Sequence, residues 1–497
     1  MYKIASNKTV PSTFAKNCLA MGLAVMLGTA SLPVRAEQVD ASDSQGVSLT
    51  IYNQNFGLVR DLRNVELKNG INYVQFADVA ARIDPTSVSF SSLTAPNQVV
   101  VREQNYRYDL LEPTTILTKS VGKPVKFKQF LANGQVNEIS GILLNPPRAT
   151  VSDTEGNVSV THQGLVVKSG ENIILNPHGQ VELAELPPGL VSRPSLVWKL
   201  ETTKGGTHKT EIAYQTQGLN WRCDYVAVVN EDDSASDLTS WVTLDNKSGT
   251  GYKNAALKLM AGDVHRVQPP QPHARGYLMA AEAAPQKQFQ EQAFAEYHLY
   301  TLQGTTDVNS NETKQLSLFN ANNVPTKKLF IFDSQAPIYP MGGYAPQSGQ
   351  KINVKLELEN SEKNNLGMPL PKGKVRVYKK DKDGALQFIG EDNIDHTPRD
   401  EKVRLYIGDA FDLVGERKQT NYQRVSDHVS RISYEMSLRN HKEQAVTITA
   451  VEHAYGQWKI IEESMPHVKK DSKTFEFPVK VPARGEVKVI YTIEIRV

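Results

Sequence analysis

The sequence predicts a mainly β, multidomain protein. It is read as antiparallel β-sandwiches, the C-terminal one immunoglobulin-like, plus a small SH3/Sm-like β-barrel. Three observations carry this. Apolar and polar residues alternate with period two over long stretches, as in Ile352, Val354, Leu356 and Leu358 against Lys351, Asn353, Lys355 and Glu357; such strands bury one face and wet the other. Asn69-Gly70, Asn133-Gly134 and Asp383-Gly384 punctuate these runs and suit the positive φ of tight hairpin turns. Sustained helical periodicity is nearly absent, which argues against a parallel α/β architecture.

The elements follow in order. Lys3, Lys8 and Lys16 precede an apolar stretch from Leu19 to Leu32, and Val34-Arg35-Ala36 offers small residues at the −3 and −1 positions. This has the form of a secretory signal peptide over residues 1–36, cleaved after Ala36. The apolar run is shorter than the ~20 residues a spanning helix needs, and no later segment is long and apolar enough to span a membrane as a helix. Residues 47–105 read as an N-terminal β unit. Residues 106–190 read as the small barrel, with five short strands around Pro124–Phe127, Ile139–Leu144, Leu165–Val167, Asn172–Leu175 and Val181–Leu186. Residues 195–335 read as a β-sandwich carrying an insertion at 268–295. That insertion opens with Pro269, Pro270 and Pro272 and continues rich in Ala and Gln. It is expected to be a flexible loop, with scope for a short helix near Gln286–Ala295, joining two strands of one sandwich. Residues 350–497 read as the immunoglobulin-like sandwich of roughly seven strands.

Composition fits this picture. The chain has 497 residues, of which 39% are hydrophobic and 22% charged, so packed cores are expected and wholesale disorder is not. At ~100–200 residues per domain, the length suggests about three domains. Lys and Arg number 56 against 54 Asp and Glu, a net charge of +2. A nucleic-acid binder carries a clear basic excess, and none is expected as a partner here. Of the two cysteines, Cys18 falls within the leader, so Cys223 would stand alone in the mature chain without an intrachain disulfide.

Several residue groups invite a chemical reading. Asp263 and His265, two apart, would share a strand face with Leu257 and Leu259, and a carboxylate beside an imidazole can bind a metal or move protons. Gly262 interrupts that strand, which favours Asp263 as a turn residue accepting backbone N–H bonds. Glu296 and His298 would likewise share one face just after the insertion, as a ligand site or as a solvated strand face. Trp221, Cys223 and Tyr225 alternate with Arg222 and Asp224; the thiol is read as a small buried hydrophobe between two aromatics. Asp381-Lys382-Asp383-Gly384 starts like a calcium loop but lacks the later oxygen ligands, so it is read as a hairpin turn. Glu231, Asp232 and Asp233 read as a solvated acidic turn. The chain has no G-x-S-x-G, no H-E-x-x-H, no cysteine cluster and no phosphate-binding or dinucleotide glycine pattern, so no motif assigns a cofactor or a metal.

Longer blocks carry a resemblance. Gly218-Leu219-Asn220-Trp221-Arg222 with Asp224-Tyr225, Leu238-Thr239-Ser240-Trp241-Val242-Thr243-Leu244 and Leu257-Lys258-Leu259-Met260-Ala261-Gly262-Asp263-Val264 are three of them. Glu296-Tyr297-His298 and Leu370-Pro371-Lys372-Gly373 complete the set. Together they resemble the secreted bacterial mucoidy inhibitor A-like family, defined by a domain of unknown function. The resemblance covers roughly residues 195–497 well and 47–190 more loosely. It implies a periplasmic or otherwise exported protein and brings no activity with it. The expected function is a non-catalytic binding or scaffold protein of the cell envelope, partnered by an envelope protein or a polysaccharide. The alternative is an enzyme acting on envelope polysaccharide through paired carboxylates.

Overall fold

The computed structural model describes residues 37–132, 134–152, 158–162, 164–265, 289–334, 338 and 347–496. The signal-peptide expectation and the proline-rich start of the expected insertion lie outside them. The protein is mainly β, built from several sheets in sandwich-like arrangements. Its one α-helix among the described residues, Pro113–Lys119, begins with a proline at a position that needs no amide donor. No helix there is long and apolar enough to cross a membrane.

The N-terminal region forms two sheets that face each other. Seven strands run in the order Phe289–Phe294, Tyr297–Val308, Tyr252–Ala261, Ser44–Tyr52, Phe56–Leu67, Gly206–Gln217 and Ser89–Ser92. Four more run Glu37–Val39, Gly70–Ala77, Ser195–Thr202 and Val99–Arg107. Between them, Trp198 meets Phe76 edge-on at 5.1 Å and Phe90 at 5.3 Å. Arg63 is also buried there. It donates to Ala77 O at 2.9 Å, pairs with Asp61 at 2.7 Å and lies 5.2 Å from the Phe76 ring centre. A buried guanidinium is tolerable only with such partners.

Strand pairing runs across the expected boundaries. Residues 47–105 do not form a sheet of their own. Ser44–Tyr52 pairs in parallel with Tyr252–Ala261, Leu49 opposite Leu257, and Gly70–Ala77 pairs with Ser195–Thr202. Alternation identifies a strand and its buried face, but it does not name the strand's partner across ~200 residues of chain. The region 106–190 is the exception, because its five-stranded antiparallel sheet is local. The order is Asn172–Leu175, Val166–Ser169, Val136–Leu143, Pro124–Phe130 and Gln180–Glu182, over a small core of Val125, Phe127, Leu143 and Val167. The chain leaves the four-stranded sheet at Arg107 and re-enters it at Ser195, two residues that face each other in the ladder. The small unit therefore hangs from adjacent strand ends.

Apart from a two-stranded ladder of Arg148–Ser152 with Val158–His162, the remaining strands form a thirteen-stranded sheet system. Glu312–Asp333 ties its two parts together: it pairs with Ala235–Asn246 through its first half and with Gln347–Glu359 and Val446–His453 through its second. Gly373–Lys380 pairs in parallel with Leu219–Val229. The expected division between 195–335 and 350–497 is thus crossed by three ladders. Beyond it, a C-terminal sandwich closes over Phe332, Ile432, Met436, Ile448, Phe475, Phe477, Tyr491 and Ile493.

The end of the expected insertion also differs. Phe289–Phe294 is a strand, not part of a helix, and pairs with Tyr297–Val308 across a turn at Ala295 and Glu296. Phe289 opposes Leu302 and is only 1% exposed. Burial of that ring with its ladder overrides the modest helix propensity of the Ala/Gln-rich sequence. The strands on either side of the insertion do pair with each other, Ala261 opposite His298.

Candidate functional site

The residues singled out from sequence gather only in part. The Tyr252–Ala261 strand ends before Asp263, because Gly262 turns the backbone at φ +124. A Cβ on that glycine would lie 2.5 Å from the Tyr297 ring, so the position needs both the conformation and the missing side chain. Asp263 and His265 consequently share no strand face. Asp263 reaches Lys372 at 3.6 Å, largely in solvent, and His265 is exposed. Glu296 sits in the hairpin turn and is exposed, so it does not pair with His298. His298 Nδ1 instead meets Glu291 Oε1 at 2.7 Å. The turn folds Phe289–Phe294 back beside His298, which places Glu291 diagonally across on the same face.

Around Lys372 the structure builds a polar junction that sequence reasoning missed. Three buried donors fix its frame. Tyr225 Oη donates to Pro371 O at 2.6 Å, Tyr300 Oη to Pro369 O at 2.9 Å, and Trp221 Nε1 to Met260 O at 3.1 Å. With the loop so placed, the Lys372 N–H donates to His396 Nδ1 at 3.2 Å. A neutral ring that accepts at Nδ1 carries its proton on Nε2. Nε2 lies 3.3 Å from the Asn53 carboxamide, whose Oδ1 is buried without a partner. With the carboxamide turned over, Oδ1 accepts the Nε2 proton. Burial, then the Lys372 ammonium, holds His396 below the usual imidazole range; Asp263 and Asp395 oppose this. Both nitrogens are therefore engaged in joining the Asn53 turn to the Lys372 loop. The signal in sequence was Leu370-Pro371-Lys372-Gly373, but nothing in it named His396 or Asn53.

The other candidates fall into place as structural groups. Cys223 is buried beside Trp221 and Tyr225, as its parity predicts. Burial pushes its thiol up to about 12, so it is not a thiolate at neutral pH. Arg222 and Asp224 lie on the outer face, joined to Asp245 and Arg376. Asp381 accepts from the amides of Asp383 and Ala385, which closes a hairpin turn. The acidic turn is neutralised by residues distant in sequence, Asp233 meeting Lys379 at 2.6 Å and Lys328 at 2.9 Å. Among the described residues no group of three or more His, Cys, Asp or Glu side chains is arranged to hold a metal ion. Burial raises the Glu452 carboxyl to about 7, but it is sealed in the C-terminal core beside Arg417.

One surface feature was not legible in the sequence. In the ladder between Gln347–Glu359 and Lys402–Ser426, pairing slips from Ile352 opposite Ala410 to Lys351 opposite Val414. Phe411, Asp412 and Leu413 have no opposing residue on that side. Leu413 turns into the core, while Phe411 projects 97% exposed, the most exposed large apolar side chain among the described residues. Nearby, Leu386–Ile394 ends the main strand path and crosses this long strand: the Tyr406 amide donates to Asp392, and Gly390 lies under Ile407. Tyr406, Phe388 and Leu386 are exposed along that crossing.

No family model matches this chain, and no curated protein matches it.

Proposed function

We propose that this is an exported, non-catalytic binding protein of the cell envelope, whose partner is another envelope protein that docks on the Phe411 surface. The leader-like residues 1–36 support export. The observation that carries the binding reading is the bulge at Phe411. It gives up ladder hydrogen bonds to hold a phenyl ring in water, and bulges commonly re-aim a side chain beside a working surface. Exposed aromatic side chains of this kind anchor protein interfaces, with a polar rim around them. Here Asp409 forms part of that rim, held by Asn353 and Tyr406.

The test is cross-linking and co-purification from native envelopes with the wild-type chain, Phe411→Ala and Phe388→Ala. The expected result is that the same partner is recovered with wild type and lost with Phe411→Ala, while thermal stability is unchanged. Equal recovery with Phe411→Ala would reject the docking surface. Recovery of polysaccharide alone by the same face would reject the protein partner. Mass spectrometry of exported material should give a mature N-terminus at Glu37; retention of residues 1–36 would reject the export reading.

A further inference from the structure

A second surface of the thirteen-stranded system sets one aromatic side chain in a polar field. Trp241 is 38% exposed, whereas Trp198 and Trp221 are buried and Trp458 packs against the C-terminal core. It stands on Ala235–Asn246, an inner strand between Leu219–Val229 and Glu312–Asp333. Leu238, Val242 and Leu244 turn to the core, so alternation carries Trp241 to the outer face with Thr239 and Thr243. Across the two ladders it opposes Asp224 and Ser317. The second ladder slips at this point. Ser240 opposes Phe319 but Trp241 opposes Ser317, and Leu318 has no opposing residue. Leu318 and Phe319 both turn into the core. Such a bulge bends its strand and re-aims the side chains beside it. No hydrogen bond or aromatic contact among the described residues engages the indole.

The polar groups around the indole are tied to one another across the strands. Thr243, only 1% exposed, is the centre of this network. Its Oγ1 donates to Asp224 Oδ2 at 2.6 Å and accepts from Gln315 Nε2 at 3.1 Å. Arg222 pairs with Asp245 at 2.7 Å and with Asp224 at 3.5 Å. On the next strand, Arg376 lies between Asp224 at 3.7 Å and Glu391 at 3.5 Å, and Lys374 meets Glu391 at 2.9 Å. The cations Arg222, Arg376 and Lys374 are thereby matched by Asp224, Asp245 and Glu391. Neighbouring strands lie ~4.8 Å apart and same-face residues ~7 Å apart along a strand, so these groups ring the indole at fixed, short distances.

We propose that this face binds an uncharged oligosaccharide, with one sugar ring stacked by its C–H face on Trp241 and its hydroxyls on Asp224, Gln315 and Ser317. An indole is a broad apolar plate with a single N–H at its edge. A pyranose has the matching form, with C–H bonds on its faces and hydroxyls around its rim, each both donor and acceptor. A carboxylate, a carboxamide and a hydroxyl beside the plate offer such a rim its partners. The charges on this face already pair with one another, so a charged ligand would have to displace a partner to gain one. A protein interface is anchored on a contiguous apolar core, and the four residues nearest Trp241 on its face, Asp224, Thr239, Thr243 and Ser317, are all polar. An open sheet face, unlike a closed pocket, also admits a chain of rings. Trp241 lies three strands in from Leu386–Ile394, which carries Phe388, and this site does not rest on the Phe411 surface.

The experiment is titration of the full chain with cellotetraose, maltotetraose and trigalacturonic acid, read by ligand-observed NMR and by acrylamide quenching of tryptophan fluorescence. At least one neutral tetrasaccharide is expected to bind at millimolar or lower concentration and to shield the exposed tryptophan from acrylamide. Its affinity should not change when salt is raised, and trigalacturonic acid should bind no more tightly. Trp241→Ala should weaken the neutral sugar ~10-fold or more, and Trp241→Phe, which keeps a smaller ring, by less. Gln315→Ala should weaken it ~2- to 10-fold, the loss of one neutral hydrogen bond. Gln315 is exposed, so that variant should melt as the wild type does. Phe411→Ala should bind the sugar normally. Four outcomes would overturn the proposal. They are no binding of either neutral sugar at millimolar concentration, unchanged affinity in Trp241→Ala or in Gln315→Ala, tighter binding of trigalacturonic acid, or a Trp241→Ala variant that keeps the sugar but loses a co-purifying protein.

Discussion

Replacing Phe289 with alanine tests how the region after the expected insertion is held. The ring is 1% exposed and belongs to the same core as Trp198, Trp221 and Tyr300. Withdrawing a phenyl ring from such a core forfeits a transfer free energy of ~2–3 kcal/mol and leaves a cavity, for a usual total of ~3–5 kcal/mol. Phe289–Phe294 is a six-residue strand at the edge of its sheet, and an edge can close partly over a void. The expected loss is therefore near the lower end, ~3 kcal/mol. Phe294, on the same strand but 53% exposed, serves as the internal control and should change stability by less than ~0.5 kcal/mol when cut to alanine. Urea unfolding followed by tryptophan fluorescence reads both, in a Trp458→Phe background. That change removes the tryptophan packed against the C-terminal core. The midpoint should fall for Phe289→Ala with the slope unchanged. Replacing residues 268–293 by a Gly/Ser linker should cost the same amount, since it removes Phe289. A loop replacement alone costs only ~0.6 kcal/mol per doubling of length. Equal midpoints for Phe289→Ala and Phe294→Ala would refute the packing described here.

Three further outcomes are expected. Cys223 should resist thiol reagents in the native chain and react at once in denaturant, because burial keeps it protonated; rapid native labelling would contradict this. Glu452 gains its proton at about 7 when folded against the ordinary 4.5, so between those values the folded chain holds a proton the unfolded chain has lost. Stability of the C-terminal sandwich, read at Trp458, should therefore fall as pH rises through that window, and Glu452→Gln should flatten the dependence. His396 runs the other way. Its folded pKa lies below the ordinary 6.5, so its contribution is intact above 6.5 and is lost as pH falls toward the folded value. Protonation also removes the acceptor for the Lys372 amide, so that amide's hydrogen-exchange protection factor should drop on acidification in wild type and stay flat in His396→Phe.

How much of this was legible in the sequence depends on the range of the interaction concerned. Parity alone placed Cys223 with Trp221 and Tyr225 in the core and Arg222 and Asp224 outside it, because side chains alternate along any strand whatever it pairs with. Turn chemistry was equally local: Asp381 needs only its own next few amides to close its hairpin. The strands of the small sheet in 106–190 pair with near neighbours in the chain. Partner choice was a different matter. Nothing in Leu49 says that it will face Leu257, and nothing in Val375 says that it will lie beside Tyr225. Those pairings rest on the complementarity of whole faces once the chain has collapsed, and they run across the boundaries expected at 47–105 and near 335–350. The partners of the candidate site residues were hidden for the same reason. Asp263 found Lys372 and His298 found Glu291 only after Gly262 and the Ala295–Glu296 turn had set the backbone. His396 meets Asn53 across 343 positions of sequence. The sequence by itself determined strand content, buried faces and turns, which depend on neighbours in the chain. Tertiary structure alone decided which polar groups meet, because hydrogen bonds and ion pairs act over a few ångströms of space regardless of separation along the chain.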